Sequence, residues 1–340
     1  MAFLIPHNAR DPETAPALAR ILPLWERLAY GADLADPFCS GPQWQLSCQE
    51  TFAPWRRIYL KSAANSLLAL SEMRDDQGNG ILMPLDSDWL FGTTLLGPES
   101  PDLLGEALAE LRQQYKPCLL AVYLSGMEEN AGFAAFARRF RKNCLFHLHN
   151  ESVQCMASLA GGLDGFFSRR SAHHRAKIRR AWRKARSEGM VFERFNPENP
   201  ALALQLYQRM LAVEERSWKG LSHCGMTEPA PRQFYANLLR RTSQTGMARV
   251  IIASRDGRDI GFIFGSVGGA TYRGQQFSHD ADFGRYSLGH VLQVEMIEWM
   301  CEEGLERYDL GPCSGPGMQY KCHWIDHVRP IRTWALVCKP

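Results

Sequence analysis

The sequence predicts an α/β protein of two domains, each a mixed and mostly antiparallel sheet flanked by helices. Three observations lead there. The chain has 340 residues, more than one ordinary core accommodates. Strand-like runs alternate with amphipathic helical runs in both halves. The second half also holds a three-strand meander, followed by a glycine turn, a helix and another short strand.

The elements follow in order. Pro16 to Tyr30 reads as a helix, apolar at Leu18, Leu22, Leu24 and Trp25 and interrupted by Pro23. Asp36 to Pro42 is loop chemistry, and Gln43 to Phe52 is a second helix. Ile58 to Leu60 and Ser66 to Met73 are strands, with the Asp75–Gly80 turn leading into Ile81–Leu85. Pro101 to Gln114 is a helix, Pro117 to Leu124 a compact strand, Ala131 to Arg141 a helix and Phe146 to Val153 a strand.

The second half opens on a helix from Leu163 to Ser187. Met190 to Phe195 is a strand, and Pro200 to Lys219 and Glu228 to Gln244 are helices. Ala248–Ser254, Ile260–Val267 and Thr271–Phe277 form the meander, with an Asp256-Gly257 hairpin signal at its first turn. Leu288 to Glu303 is a helix capped by Gly304, and Tyr308–Gly311 and Ile331–Val337 are the last strands. Ala160-Gly161-Gly162 is the expected boundary, giving domains 1–160 and 161–340.

Hydrophobic residues make up 45% and charged residues 22%, which excludes a disordered or fibrous chain. The formal charge of +3 provides no global field for nucleic acid or anionic membrane. Ten cysteines without a CxxC pair suggest a reduced, cytoplasmic setting. Cys313, Cys322, His323 and His327 match no zinc spacing, so no metal is expected. The N-terminal Met-Ala-Phe-Leu-Ile run has no basic flank and ends at Pro6, unlike a signal peptide. No stretch reaches the roughly 18 apolar residues of a membrane span.

The stretch from Tyr272 to Trp324 carries the chemistry. A strand runs into Tyr286-Ser287-Leu288-Gly289, a helix opens there, and Tyr308-Asp309-Leu310-Gly311 follows. A helix start presents free N–H groups and a positive dipole end, the usual setting for an anion. Ser287, Leu288, Gly289, His290 and Val291 are therefore the expected donor-binding residues. The bland alternative is an ordinary N-terminus with Ser287 as cap.

His279, Asp280 and Asp282 follow the third meander strand. His279 titrates near neutrality and is the candidate base for an amine nucleophile, with Asp280 sharing or orienting that role. Tyr286 and Tyr320 are either proton donors to a leaving group or packing aromatics. Asp309 and Lys321 lie at strand ends near the same cleft, where Lys321 could hold an anionic acceptor group. Glu215 and Trp218 sit before and within Ser217-Trp218-Lys219-Gly220, and Trp218 is either core or ligand-facing. From Arg169 to Arg186 there are nine Lys or Arg, two His and no acid. Ile178, Ala181, Trp182 and Ala185 form a separate buried stripe. Arg175, Arg179, Arg183 and Arg186 are then either a solvated face or a docking strip for a polyanion.

The basic helix, the Ser-Trp-Lys-Gly phrase, Tyr286–Gly289 and Tyr308–Gly311 with Tyr320-Lys321 together resemble the acetyltransferase superfamily with the GNAT fold. They are most similar to its two-domain branch of cellulose-biosynthesis-type acetyltransferases and Fem-type aminoacyl-tRNA-dependent ligases. In much of that branch the turn reads Tyr-Ser-Pro-Gly; here Leu288 takes the place of proline. The resemblance implies an N-acyltransferase with no tightly bound cofactor and acyl-CoA as co-substrate. Its acceptor would be an amine on a small molecule or peptide. The alternative it implies is a ligase drawing on aminoacyl-tRNA. A binding module that kept the fold without catalysis is the third reading.

Overall fold

The computed structural model describes residues 2–5, 14–129, 131–313 and 318–338. The chain forms two compact units, Met1–Val153 with Pro330–Pro340 and Gln154–Arg329. The division falls within a strand, a few residues before the expected glycine boundary. The last strand returns to the first unit, which local sequence does not reveal.

In the first unit the order is β1 (Ala2–Ile5), α1 (Thr14–Tyr30), α2 (Pro37–Ser40), α3 (Pro42–Phe52), β2 (Arg57–Ala63), β3 (Ser66–Arg74), β4 (Gly80–Met83) and β5 (Leu95–Leu96). There follow α4 (Ser100–Tyr115), β6 (Leu120–Met127), α5 (Ala131–Phe140) and β7 (Cys144–Ser158), whose last residues enter the second unit. The sheet runs β1-β2-β3-β4-β6, with β5 beside β3, and β6 also pairs with the returning strand. Only β4 and β6 pair in parallel among these contacts. The expected loop at Asp36 is instead a helix cap: its Oδ1 accepts from Cys39 N–H at 2.9 Å and starts α2. Leu103, Leu104, Ala107, Leu108 and Leu111 line the inner face of α4 against Leu68, Leu70 and Val122.

In the second unit come α6 (Gly162–Ser168), α7 (Ala172–Ser187), β8 (Val191–Phe195), α8 (Pro200–Glu215), α9 (Trp218–Leu221) and α10 (Pro229–Gln244). Next are β9 (Ala248–Arg255), β10 (Arg258–Gly268), β11 (Thr271–His279), α11 (Leu288–Glu302) and β12 (Arg307–Pro312), and then β13 (His327–Cys338), which begins in this unit and from Pro330 belongs to the first. The sheet order is β7-β12-β11-β10-β9-β8. The β9–β10 turn places Asp256 and Gly257 at φ 51° and 75°, the two positive values of a type I′ hairpin.

The single helix expected from Leu163 to Ser187 is two. Ser171 adopts extended backbone and its Oγ accepts from His174 N–H, so it caps a new helix. Ile178, Ala181 and Ala185 are buried on α7 as the stripe predicts, with Trp182 partly buried beside them. Helix α11 is buried through Leu288, Val291, Leu292, Met296 and Ile297 against β9–β11. Each such side chain contributes about 1.5–3 kcal/mol.

Cys144 pairs with Cys338 in the first unit at a Cα separation of 4.2 Å, and Cys155 stands beside Cys313 in the second at a Cα separation of 5.9 Å. The spacing of the cysteines suggested no pairing. The partners are 194 and 158 residues apart, beyond the reach of any spacing pattern. No helix among the described residues is long and apolar enough to cross a membrane.

Candidate active site

The site begins where two strands part. β11 pairs with β10 along its whole length, but with β12 only at Thr271–Arg273 against Arg307–Asp309, in parallel. From Gly274 onward β11 and β12 diverge. At the same point the β10 pairing skips a residue, from Phe264↔Gln276 to Gly265↔Gly274, so Gln275 is a bulge. A bulge re-aims side chains and increases local twist.

Two cavities open at this split. The first, about 310 Å³, is lined by Gly274 to Phe277 of β11, Leu310 of β12, Gln293 of α11, Trp218 and Lys219 of α9, and Tyr320 and Lys321. Its lining brings together residues of β11, α9 and α11 at the point where the two strands part. The second, about 250 Å³, is lined by Phe277, His279, Gly284, Ser287, Gly289, His290, Gln293, Tyr320 and Trp324. Phe277, Gln293 and Tyr320 belong to both.

The second cavity holds the start of α11. Ser287 stands at φ 53° in the left-handed region, and its side chain makes no cap bond. Its carbonyl instead accepts from His290 N–H at 2.9 Å and Val291 N–H at 3.4 Å. Those two donors, expected to face a ligand, are thus held within the turn. Among the described residues Gly289 N–H has no such acceptor. A Cβ on Gly289 would stand 2.9 Å from Phe277 Cε2, so only glycine lets the helix start this close to β11. Leu288 and Val291 are fully buried and serve the core.

His279 lines this second cavity, and burial lowers its pKa despite the neighbouring Asp280. It is therefore a neutral imidazole near pH 7. Asp280 is buried and accepts from Arg216 Nε at 2.8 Å and an Arg258 nitrogen at 2.5 Å. Burial alone would raise its carboxyl. The hydrogen bond from Arg216, the Asp282 N–H and the nearby Arg258 outweigh that and hold it below the usual range. An anion so engaged accepts a proton poorly. Tyr320 lines both cavities and burial raises it to about 12, so its hydroxyl stays protonated. The Tyr286 ring packs in the core, and its hydroxyl meets Arg255 at 3.1 Å and Arg285 at 2.9 Å.

Around the first cavity, Trp218 is 62% exposed and lines the opening, which settles the core-or-ligand alternative in favour of exposure. Glu215 is exposed and lines neither cavity. The buried neighbour is Glu214, 3.2 Å from Lys219 Nζ. Lys219 Nζ also donates to Gln276 Oε1 at 2.8 Å and Phe277 O at 3.1 Å. Tyr207, Met210, Leu211 and Glu214 fall at i, i+3, i+4 and i+7, the signal that places Glu214 rather than Glu215 on the inner face of α8. Asp309 is fully buried and accepts from Gln154 Nε2 at 2.7 and 2.8 Å and from Gly311 N–H. It holds β12 to β7 and does not line the cavities.

Lys321 is only 6% exposed and donates to Pro312 O at 2.6 Å. Burial foremost, with Arg273 nearby, lowers it to about 8 against the pull of Asp309. Gln275 Nε2 and Gln293 Oε1 are buried without a hydrogen-bond partner. Neither glutamine stands out in sequence, because neither titrates and both depend on the bulge and the split for their position.

The basic strip divides. Arg179 and Arg183 are exposed on α7, Arg175 donates to Arg170 O at 2.7 Å, and Arg186 lies over Trp182 and 3.4 Å from Glu295. At the other end of α7, His174 stacks on His323 and meets His290 and Trp324 edge-on.

Residues 172–321 match the acetyltransferase (GNAT) domain family. No curated protein sequence matches the chain. Among solved structures the chain is similar to FemX, at 10% identity and TM-score 0.64, over 91% of this chain and 94% of that one. It is also similar to the C-terminal domain of a putative lysylphosphatidylglycerol synthetase from Agrobacterium fabrum, at 13% identity and TM-score 0.56, over 94% and 92% of the two chains. A third is L-PGS from Bacillus licheniformis, at 14% identity and TM-score 0.58, over 98% and 93%. At these identities the likeness is one of fold. The family match lies over the split strands and the start of α11, so the second unit carries a GNAT acetyltransferase-type domain.

Proposed function

We propose that the second unit is an N-acyltransferase that passes an acyl group from acyl-CoA directly to an acceptor amine. One observation carries this reading. β11 and β12 part after three paired residues, and two cavities that share Phe277, Gln293 and Tyr320 lie there beside a helix start whose Gly289 N–H has no acceptor among the described residues. A donor in one cavity can meet an acceptor in the other at their shared lining.

In this reading the phosphates of the donor rest against Gly289 N–H and the dipole of α11. The acyl carbonyl sits at the split, where backbone N–H groups of the open β11 edge polarise it. The acceptor nitrogen attacks, a C–N bond forms, and the thioester C–S bond breaks. His279 takes the proton from nitrogen, and Tyr320 gives one to the departing thiolate.

A second reading keeps the site and changes the donor. The exposed Arg179 and Arg183 on α7 favour a polyanion, and aminoacyl-tRNA is the activated acyl donor of that kind. A melting titration separates the two. A ligand bound only by the folded state stabilises it by about 2.7 kcal/mol at a hundred times its Kd. Acetyl-CoA is expected to raise the melting temperature and to release thiol when an amine is added. A shift with aminoacyl-tRNA alone favours the second reading, and no shift with either removes both.

A further inference from the structure

We infer that the acceptor carries a carboxylate beside its amine, an α-amino acid in the simplest case, and that Lys321, Gln275 and Gln293 recognise it. This rests on the acyl-transfer reading and names the substrate class of its first cavity.

An ammonium has three donors. Lys321 uses one on Pro312 O, and no carboxylate lies within ion-pair distance of it among the described residues. A buried cation in that position is costly until an anion joins it. Lys219, the other lysine of the cavity, is already satisfied by Glu214, Gln276 and Phe277 O. Lys321 is therefore the cation left for a ligand. Gln275 Nε2 adds a second unused donor, and Gln293 Oε1 an unused acceptor. Two donors and one acceptor complement a carboxylate and an amine. Gln293 also lines the donor cavity, so an amine on its Oε1 stands at the junction where the acyl carbon arrives. A volume of about 310 Å³ suits a small molecule.

The carboxylate is a handle and takes no part in bond making. The neutral amine gains the acyl carbon and loses a proton to His279. The donor loses its C–S bond, and its sulfur gains a proton from Tyr320. The product is an N-acyl amino acid and free thiol.

The test compares proteinogenic amino acids with their carboxamides, which keep the amine and lose the charge. Thiol release from acetyl-CoA is expected to favour the best amino acid at least about tenfold in kcat/KM over its carboxamide, as loss of a charged hydrogen bond predicts. That ratio should collapse towards one in Lys321→Gln and fall in Gln275→Leu, with melting temperatures confirming that both variants fold. Carboxamides and simple alkylamines reacting as well as the acids would overturn the inference while leaving acyl transfer intact. Quenching of Trp218 and Trp324 fluorescence by amino acids, without acetyl-CoA, reads binding independently of turnover. Lys321-dependent quenching without thiol release keeps the ligand class and removes the transferase reading. No quenching and no turnover with any amino acid removes the inference.

Discussion

Lys219 Nζ lies 3.2 Å from Oε1 of Glu214, a carboxylate with no exposed surface. Glu214 also accepts from Met226 N–H at 3.1 Å, and burial lowers the Lys219 pKa even with this partner beside it. The pair ties α8 to α9, which carries Trp218 to the cavity mouth. Glu214→Ala leaves a buried cation uncompensated and should cost about 3–5 kcal/mol. Urea unfolding measures it. The double change with Lys219→Met should recover much of the loss, and equal losses in the single and double variants would dissociate the pair from stability.

His279→Ala should lower kcat by at least about tenfold, the lower part of the range for a general base. Burial lowers the His279 pKa below its ordinary 6.5. Since the neutral imidazole is the active form, kcat/KM should rise with pH through that lowered value and level off above it. The variant should lose this rise. Full activity with an unchanged profile would move proton removal to another group.

Gly289→Val should abolish donor binding and also cost stability, because Phe277 must give way to the added carbons. The first added carbon already meets Phe277 Cε2 at 2.9 Å and His279 Nδ1 at 4.0 Å, and the rest of the side chain enters the second cavity. Calorimetric titration with acetyl-CoA reads the effect. Retained affinity would place the donor phosphates elsewhere.

Acid should destabilise the fold through two histidines. His174 and His290 are lowered to about 4, each by burial first. Lys177 and His323 add to this for both, and His290 and Arg170 further for His174. The unfolded chain binds these protons near 6.5 and the folded chain refuses them until about 4. Their contribution is therefore intact above about pH 6.5 and is lost progressively below it. Melting temperatures at pH 7.5 and 5 should differ less in His174→Gln than in the unaltered protein. An identical difference would assign the acid sensitivity to other groups.

What the sequence discloses is local. The Asp256-Gly257 turn, the meander and the helix after Ser287 rest on neighbours along the chain, and they stand where the pattern puts them. What it conceals depends on distant partners. Pro330–Pro340 returns to the first unit by pairing with β6, more than 200 positions away in sequence. The break at Ser171 was legible as a cap signal, but the unbroken run of base obscured it. Asp280 reads as a base in sequence, because the arginines that neutralise it come from the end of α8 and the start of β10. Lys219 reads as part of a phrase and becomes a cavity residue only when β11 bends at Gln275.

The most direct measurement is a crystal structure with coenzyme A. The expected result is phosphate oxygens within hydrogen-bond distance of Gly289 N–H, and the thiol arm running along Gly274–Phe277 into the split between β11 and β12. Coenzyme A bound away from α11, or electron density absent at saturating concentration, would contradict it.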